Sequence, residues 1–583
     1  MKKFVLLLAV THGLSSLCAQ DELITHYESS GYLETPRYNE TIAYCKKLDE
    51  ASDKIFYTSF GVSPQGRALP LLIVDKDGLT TPETIREAGR IVLLVECCIH
   101  PGEPEGKDAL LMLVRDMAVR GLHAEALNGV SLLVIPIFNV DGHERFNAYN
   151  RINQNGPKEM GWRVTAQNYN LNRDFLKADA PEMQQWLALY THWLPEFFID
   201  CHTTDGADYQ YVITYALETF GNMDPGITQW LTDTYEPALV DRMFGSGFPV
   251  FRYVSFRQWH NPKSGLRTSA SPPMLSQGYT AIQNRPGLLI ETHMLKPYQP
   301  RVESTYGMVL HTLNILNAEK NNLTTAIRQA DQWCTSDVLK DKKLPIAFRN
   351  DWSDSTMVEF LGVEYREKRS EITSGVWYEY DSTQPVTFTL PMFEKVKAEK
   401  EIRMPKAYLV PVEWSEVIEK IIAHGIEYEV LEQDTEYEIS GYRFHAPEWY
   451  ATPYENHMRI RDVEVEEITG RRVFPAGSLY IPMCQRAAKV VAFLLEPEAD
   501  GSLFSWGFFN SIFEQKEYSE TYVMEPMALK MLREDPALRE DFEARKKKQP
   551  DWVNNQWEVM NWFYSRSLWA DPKLRVYPVG RIY

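Results

Sequence analysis

The 583 residues predict an α/β fold, a mixed sheet with helices on both faces, followed by a β-rich α+β C-terminal domain. Three observations carry that expectation. Between residues 90 and 318, continuous apolar runs alternate with helix-patterned segments, which is how strands covered on both faces of a sheet read. Beyond about residue 345 the pattern changes to short alternating segments, the mark of half-buried strands. Hydrophobic residues make up 44% and charged residues 24%, so a large core is available and a disordered or fibrous chain is excluded.

The chain opens with Met1-Lys2-Lys3, a short apolar run from Phe4 to Val10, and small residues up to Ala19. A basic start, an apolar stretch and a small-residue exit describe a secretory signal peptide over residues 1–19. Leu17 before Cys18 argues against a lipoprotein site, where a small residue is expected. A bilayer span takes about 20 apolar residues, and the run at 91–99 is broken by Glu96. The sequence therefore predicts an exported protein, periplasmic or extracellular, with no membrane insertion. Lys and Arg number 61 against 80 Asp and Glu, a net charge of −19, so no nucleic-acid partner is expected. The cysteines beyond the leader, Cys45, Cys97, Cys98, Cys201, Cys334 and Cys484, form no CxxC pair and read as buried free thiols. Nothing in the pattern specifies an oligomeric state.

In chain order, strands are expected at 91–99, 130–138, 196–202, 211–216 and 288–293. Helices are expected at 105–120 and 181–193, the second with Pro181 in its first turn, and a closing helix at 303–318. Asn321-Asn322-Leu323-Thr324 interrupts the pattern, which predicts a domain over 20–320, a linker over 321–344 and a second domain over 345–583. In the second, 358–365, 386–390, 428–431 and 436–444 read as strands, and 414–423, 485–494 and 535–548 as helices. Its aromatics Trp449, Tyr450, Tyr454, Trp506, Phe508 and Phe509 read as packing rather than as a binding surface.

The chemistry starts at His100-Pro101-Gly102-Glu103, at the end of the first buried strand. An imidazole and a carboxylate three residues apart on a Pro-Gly turn can face one point, and both ligate first-row metals. His202, at the end of the strand from Phe197, is the best third ligand, and two His with one Glu describe a catalytic zinc site. Glu291, in an apolar strand, is costly to bury unless paired or functional, which makes it a candidate general base. His293, on the same strand face by period two, is its rival as ligand or base. Arg173 with the Asn172 amide offers a planar fork suited to a carboxylate, and Arg163 could point at a developing oxyanion. The segment 102–107 lacks the Ser/Thr and the spacing of a phosphate loop.

Taken in order, His100-x-x-Glu103, Asn139-Val140-Asp141-Gly142, Asn172-Arg173-Asp174-Phe175, His202 and Ile290-Glu291 resemble the zinc carboxypeptidase family related to carboxypeptidase A, over roughly residues 32–318. The resemblance implies that family's fold, Zn2+ held by His100, Glu103 and His202, and Glu291 as the acid/base residue. It implies that Arg173 with Asn172 holds the free C-terminal carboxylate, that Arg163 polarises the scissile carbonyl, and that Tyr279 caps the substrate. The partner implied is a peptide with a free C-terminus, cleaved at its last bond by a zinc-activated water. The chain departs from the family at Asn170, where an acid commonly supports a zinc-bound histidine; an amide accepts the same N–H but adds no charge.

Two other readings stand beside this one: a zinc amidase acting on cell-wall peptides or N-acyl amino acids, and a non-catalytic protein that captures peptide or glycan. Side-chain preference is set by loops expected at 204–210 and 252–276.

Overall fold

The computed structural model describes residues 23–336 and 343–583, so the leader read at 1–19 lies outside the described residues. The central sheet is built from β1 (Ile55–Val62), β2 (Ala68–Val74), β3 (Ile91–Glu96), β4 (Val130–Ile135), β5 (Phe197–Thr204), β6 (Ile213–Leu217), β7 (Val250–Arg252) and β10 (Gly287–His293). Between the last two, β8 (Ser255–Gln258) and β9 (Asn261–Arg267) leave to join another sheet. The order is β1-β2-β4-β3-β5-β10-β6-β7. β3 runs parallel to both β4 and β5, and β5 parallel to β10, while β10 and β6 are antiparallel.

Every residue of β3, β4 and β5 is buried, which is why these strands begin as apolar runs rather than alternating with polar residues. Successive side chains of β5 meet different helices, as strand alternation requires. Phe197 packs on Tyr235 at 4.9 Å, whereas Phe198 packs edge-on against Trp186 of the helix Pro181–Trp193. The helix Glu105–Ala118 lies so close to β5 that a Cβ on Gly106 would stand 2.5 Å from that of Cys201. Only glycine allows that approach.

Two expectations need correction. The helix read at 303–318 spans Tyr298–Cys334 and runs straight through 321–324, so the linker expected at 321–344 begins as helix. Thr324 and Thr325 turn their hydroxyls onto the carbonyls of Lys320 and Asn321, four residues back, instead of breaking the helix. Leu323, Ile327, Ala330 and Cys334 keep a buried stripe going to its end. The boundary expected at 345 also moves, because the first compact unit runs through Lys406 and takes in 414–429 and 481–505. Within it β11 (Lys343–Asn350) pairs with β14 (Val396–Arg403), and β12 (Thr356–Arg369) and β13 (Val376–Phe393) complete the sheet β12-β13-β9-β8. Phe360 of β12 packs against Tyr209 and Tyr211, in the segment that follows β5.

The second unit comprises 407–413, 430–480 and 506–583. Its strands Ala407–Val410, Gly580–Ile582, Thr435–Trp449 and Ile460–Phe474 pair antiparallel. The helices Thr521–Glu534, Pro536–Lys548 and Gln556–Tyr564 enclose a separate core of Met524, Ala528, Trp552, Trp562 and Phe563. Of the aromatics singled out in sequence, Trp506 and Phe509 are buried and Tyr454 stacks on Trp506, whereas Trp449, Tyr450 and Tyr454 are exposed. No disulfide joins the described cysteines; five are buried and Cys484 is exposed. No helix among the described residues is long and apolar enough to cross a membrane.

Candidate active site

From β3 the chain passes to β4 on one side and from β5 to β6 on the other, so the connections diverge and open a crevice beyond the carboxyl ends of β3 and β5. β3 ends at Glu96, Cys98 takes a left-handed φ of 57°, and the Glu103 amide donates to the His100 carbonyl at 2.9 Å. That turn aims His100 and Glu103 into the crevice. His202, at the end of β5, arrives from the other wall.

The three side chains converge. His100 Nδ1 lies 3.2 Å from Glu103 Oε1, and His202 Nδ1 lies 3.2 Å from Glu103 Oε2. One ligand atom from each falls within 4.8 Å of the other two, and all three residues are buried. The outward nitrogens each face an oxygen: His100 Nε2 lies 3.0 Å from Asn170 Oδ1, and His202 Nε2 lies 2.8 Å from Asp200 Oδ2. Orienting the far nitrogen with an oxygen acceptor fixes the tautomer that leaves Nδ1 free to ligate. His100 Nδ1 is buried and makes no hydrogen bond, as an atom awaiting a cation would be. Two imidazole nitrogens and a carboxylate are the donor set of a three-ligand zinc site, so these residues fit that ion.

The electrostatics differ from one member of the trio to the next. Burial pushes His100 down to about 4, against the pull of Glu103, so its imidazole is neutral and ligand-competent. Burial opposes ionisation of Glu103, yet Arg151 and the two imidazoles hold its carboxyl well below the usual range. Burial likewise opposes a charged His202, but Asp200 and Glu103 raise it well above its ordinary value.

Glu291 pairs across the ladder with His202. Burial pushes its carboxyl up to about 8, with His202 pulling the other way and Glu103 and Asp200 adding to the rise. Arg163 stands 3.6 Å from Glu103 Oε1 and feels the charges of Arg151, Arg173 and Glu291. Arg173 donates to the Asn172 carbonyl at 2.6 Å, and the Asn172 amide donates to Asn170 Oδ1, the same oxygen that faces His100.

Tyr279 is a correction. It is fully buried on the helix Ser276–Ile282, its hydroxyl 2.8 Å from His424 Nδ1 and accepting from Gln283 Nε2, packed among Phe175, Trp186 and Tyr190. A side chain sealed in that cluster cannot cap a substrate. His293 is not at the centre either: its Nε2 faces the Ala207 carbonyl at 3.0 Å. Asn139 caps a short helix by accepting from the Gly142 amide, and Asp141 is tied to Arg67 and Ser63, so that motif shapes the scaffold.

Two site residues had no sequence signal. Arg151 reaches Glu103 Oε1 at 2.7 Å by lying across Gly102, where a Cβ would stand 2.8 Å from its chain. Tyr253, just past β7, lies 3.3 Å from Thr204 Oγ1 and feels both Glu291 and Glu103. Beside it a pocket of about 210 Å³ is lined by Glu218, Thr268, Ser271 and Gln277, within the loop region 252–276 and its flanks.

Comparison with known proteins matches residues 41–204 to the zinc carboxypeptidase family. The chain is 22% identical over 491 residues to a protein named carboxypeptidase 2 from Trichophyton equinum, covering 81% of this chain and 84% of that one. A carboxypeptidase 2 from Trichophyton rubrum is 20% identical, with 81% and 84% covered. Among solved structures, a metallo-carboxypeptidase from Burkholderia cenocepacia is 16% identical, with a TM-score of 0.36 over 50% of this chain and 71% of that one. Carboxypeptidase A from Helicoverpa armigera is 13% identical, with a TM-score of 0.37 over 54% and 81%.

Proposed function

We propose, from the premise that this chain belongs to the zinc carboxypeptidase family and is therefore a zinc metallopeptidase, that it is an exported exopeptidase removing the last residue of peptides with a free C-terminus. The observation that carries this reading is the convergence of His100 Nδ1 and His202 Nδ1 on Glu103 with Glu291 one strand away. Zinc held by His100, Glu103 and His202 would supply an acidified water and a Lewis acid for the scissile carbonyl.

The chain's own residues do the rest. The Glu291 carboxylate takes the proton of the attacking water and then delivers it to the departing amine. Arg163 directs N–H donors at the oxygen on which charge develops. Arg173 and Asn172 bind the terminal carboxylate, which sets the register and makes the action exopeptidic. The pocket beside Tyr253 receives the side chain of the terminal residue.

The test compares a peptide with its C-terminal amide. For Arg173→Ala, kcat/KM should fall about 10- to 100-fold on the free acid, the worth of a charged hydrogen-bond pair, and change little on the amide. Equal losses on both substrates would contradict exopeptidase recognition.

A further inference from the structure

The second unit contains a cavity of about 920 Å³ that the hydrolytic reading does not use. It lies at the upper end of the roughly 300–1,000 Å³ typical of small-molecule sites. Three features set it apart from ordinary surface. Its wall carries three indoles, of which Trp552 and Trp562 are buried in the helical core and Trp557 is left 65% exposed. The Trp552 Nε1 donor is buried without a hydrogen-bond partner, although Trp552 itself is only 6% exposed. Arg575, on the same wall, holds a left-handed φ of 60°. A non-glycine residue in that region costs about 1 kcal/mol or more, and such strain gathers at binding sites.

The charge of the cavity opposes that of the chain. Arg443, Lys516, Arg545, Arg566 and Arg575 line it against Glu517, Glu558 and Asp571, in a protein whose net charge is −19. Two of these guanidinium groups sit over indoles, Arg545 at 4.5 Å from the Trp552 ring and Arg566 at 4.0 Å from Trp562. Each cation is thereby within cation–π range of an aromatic ring.

We propose that this cavity binds an acidic oligosaccharide, with one sugar ring stacked on the exposed Trp557 and a uronate-type carboxylate held by the arginines. A pyranose ring presents C–H faces that suit an indole, and its hydroxyls both donate and accept, matching a wall of mixed guanidinium and carboxylate groups. The small cationic excess suits one or two carboxylates per ligand. A nucleic-acid strand, with a phosphate at every residue, would meet the three acids repeatedly. A peptide of acidic residues alone would leave the exposed face of Trp557 without a ring to stack on. The chain would then carry a saccharide site on a different unit from its peptidase site.

The test uses the full chain and titration calorimetry with galacturonate, glucuronate and mannuronate trisaccharides. At least one should bind, and its methyl ester should bind at least 10-fold more weakly. Trp557→Ala and Arg575→Gly should each weaken binding at least 10-fold with peptide hydrolysis unchanged. Trp557 is exposed and glycine suits the Arg575 backbone, so both variants should fold, which thermal melting checks. Three outcomes overturn the proposal: no acidic trisaccharide binds, both variants bind like the parent, or polyglutamate or oligothymidylate binds more tightly than every trisaccharide.

Discussion

His202 Nε2 lies 2.8 Å from the carboxylate of Asp200, two residues back on the same strand. His100 has a neutral partner instead, the Asn170 amide oxygen at 3.0 Å. The two imidazoles are thus oriented alike but unequally supported, because only one has a negative charge behind it. Asn170→Asp should raise zinc affinity and Asp200→Asn should lower it, each by about 10-fold or more. Competition with a chelator measures both; unchanged affinity in the pair would remove these partners from the metal's support.

Glu291→Gln should lower kcat by a factor of about 100 to 10,000, the worth of a general acid/base. Zinc content should stay at the parent level, because Glu291 is outside the convergent trio. Hydrolysis near the parent rate would take the proton-transfer role away from Glu291.

Tyr279→Phe should leave peptide hydrolysis intact, since the hydroxyl faces His424 and Gln283 inside the fold. Stability should fall by about 1–2 kcal/mol, because a buried imidazole nitrogen and an amide lose their partner. A large loss of activity at undiminished stability would restore Tyr279 to the substrate.

Burial pushes the Glu218 carboxyl up to about 7 from 4.5, although its oxygens accept from the Ser271 and Phe220 amides. Between those two values the folded chain keeps a proton that the unfolded chain has released. Stability from this group therefore falls as pH rises from about 4.5 to 7, by about 1.4 kcal/mol per unit, and levels off above. Glu218→Gln has no such proton. Urea unfolding at pH 5, 6, 7 and 8 should show the parent losing stability relative to the variant up to pH 7; parallel curves would contradict the shift.

The parts of this molecule legible in sequence are those where one local rule dominates. Residues 181–193 form the helix read there, because Pro181 starts it and its apolar side chains keep helical spacing. His202 and Glu291 were readable as candidates because each is a polar residue among the buried neighbours of a strand, and His100 and Glu103 because they follow directly on the buried strand that ends at Glu96. Where tertiary contact decides, the reading fails. Tyr279 occupies a helix buried on every side, so spacing to Glu291 carried no information about what its hydroxyl meets. Arg151 sits 48 residues from Glu103 in an irregular loop, and only the missing Cβ of Gly102 lets the two meet. Asn321 to Thr324 looked like a break because their propensities are poor, yet the buried stripe continuing through Cys334 outweighs them.

The central claim is that one zinc ion sits between His100, Glu103 and His202. Anomalous diffraction from crystals of the zinc-loaded chain, recorded on both sides of the zinc absorption edge, tests it most directly. One peak should appear at about 2.0–2.2 Å from His100 Nδ1, His202 Nδ1 and a Glu103 oxygen. A loaded crystal whose anomalous signal lies elsewhere, with no peak within reach of these three side chains, would contradict it.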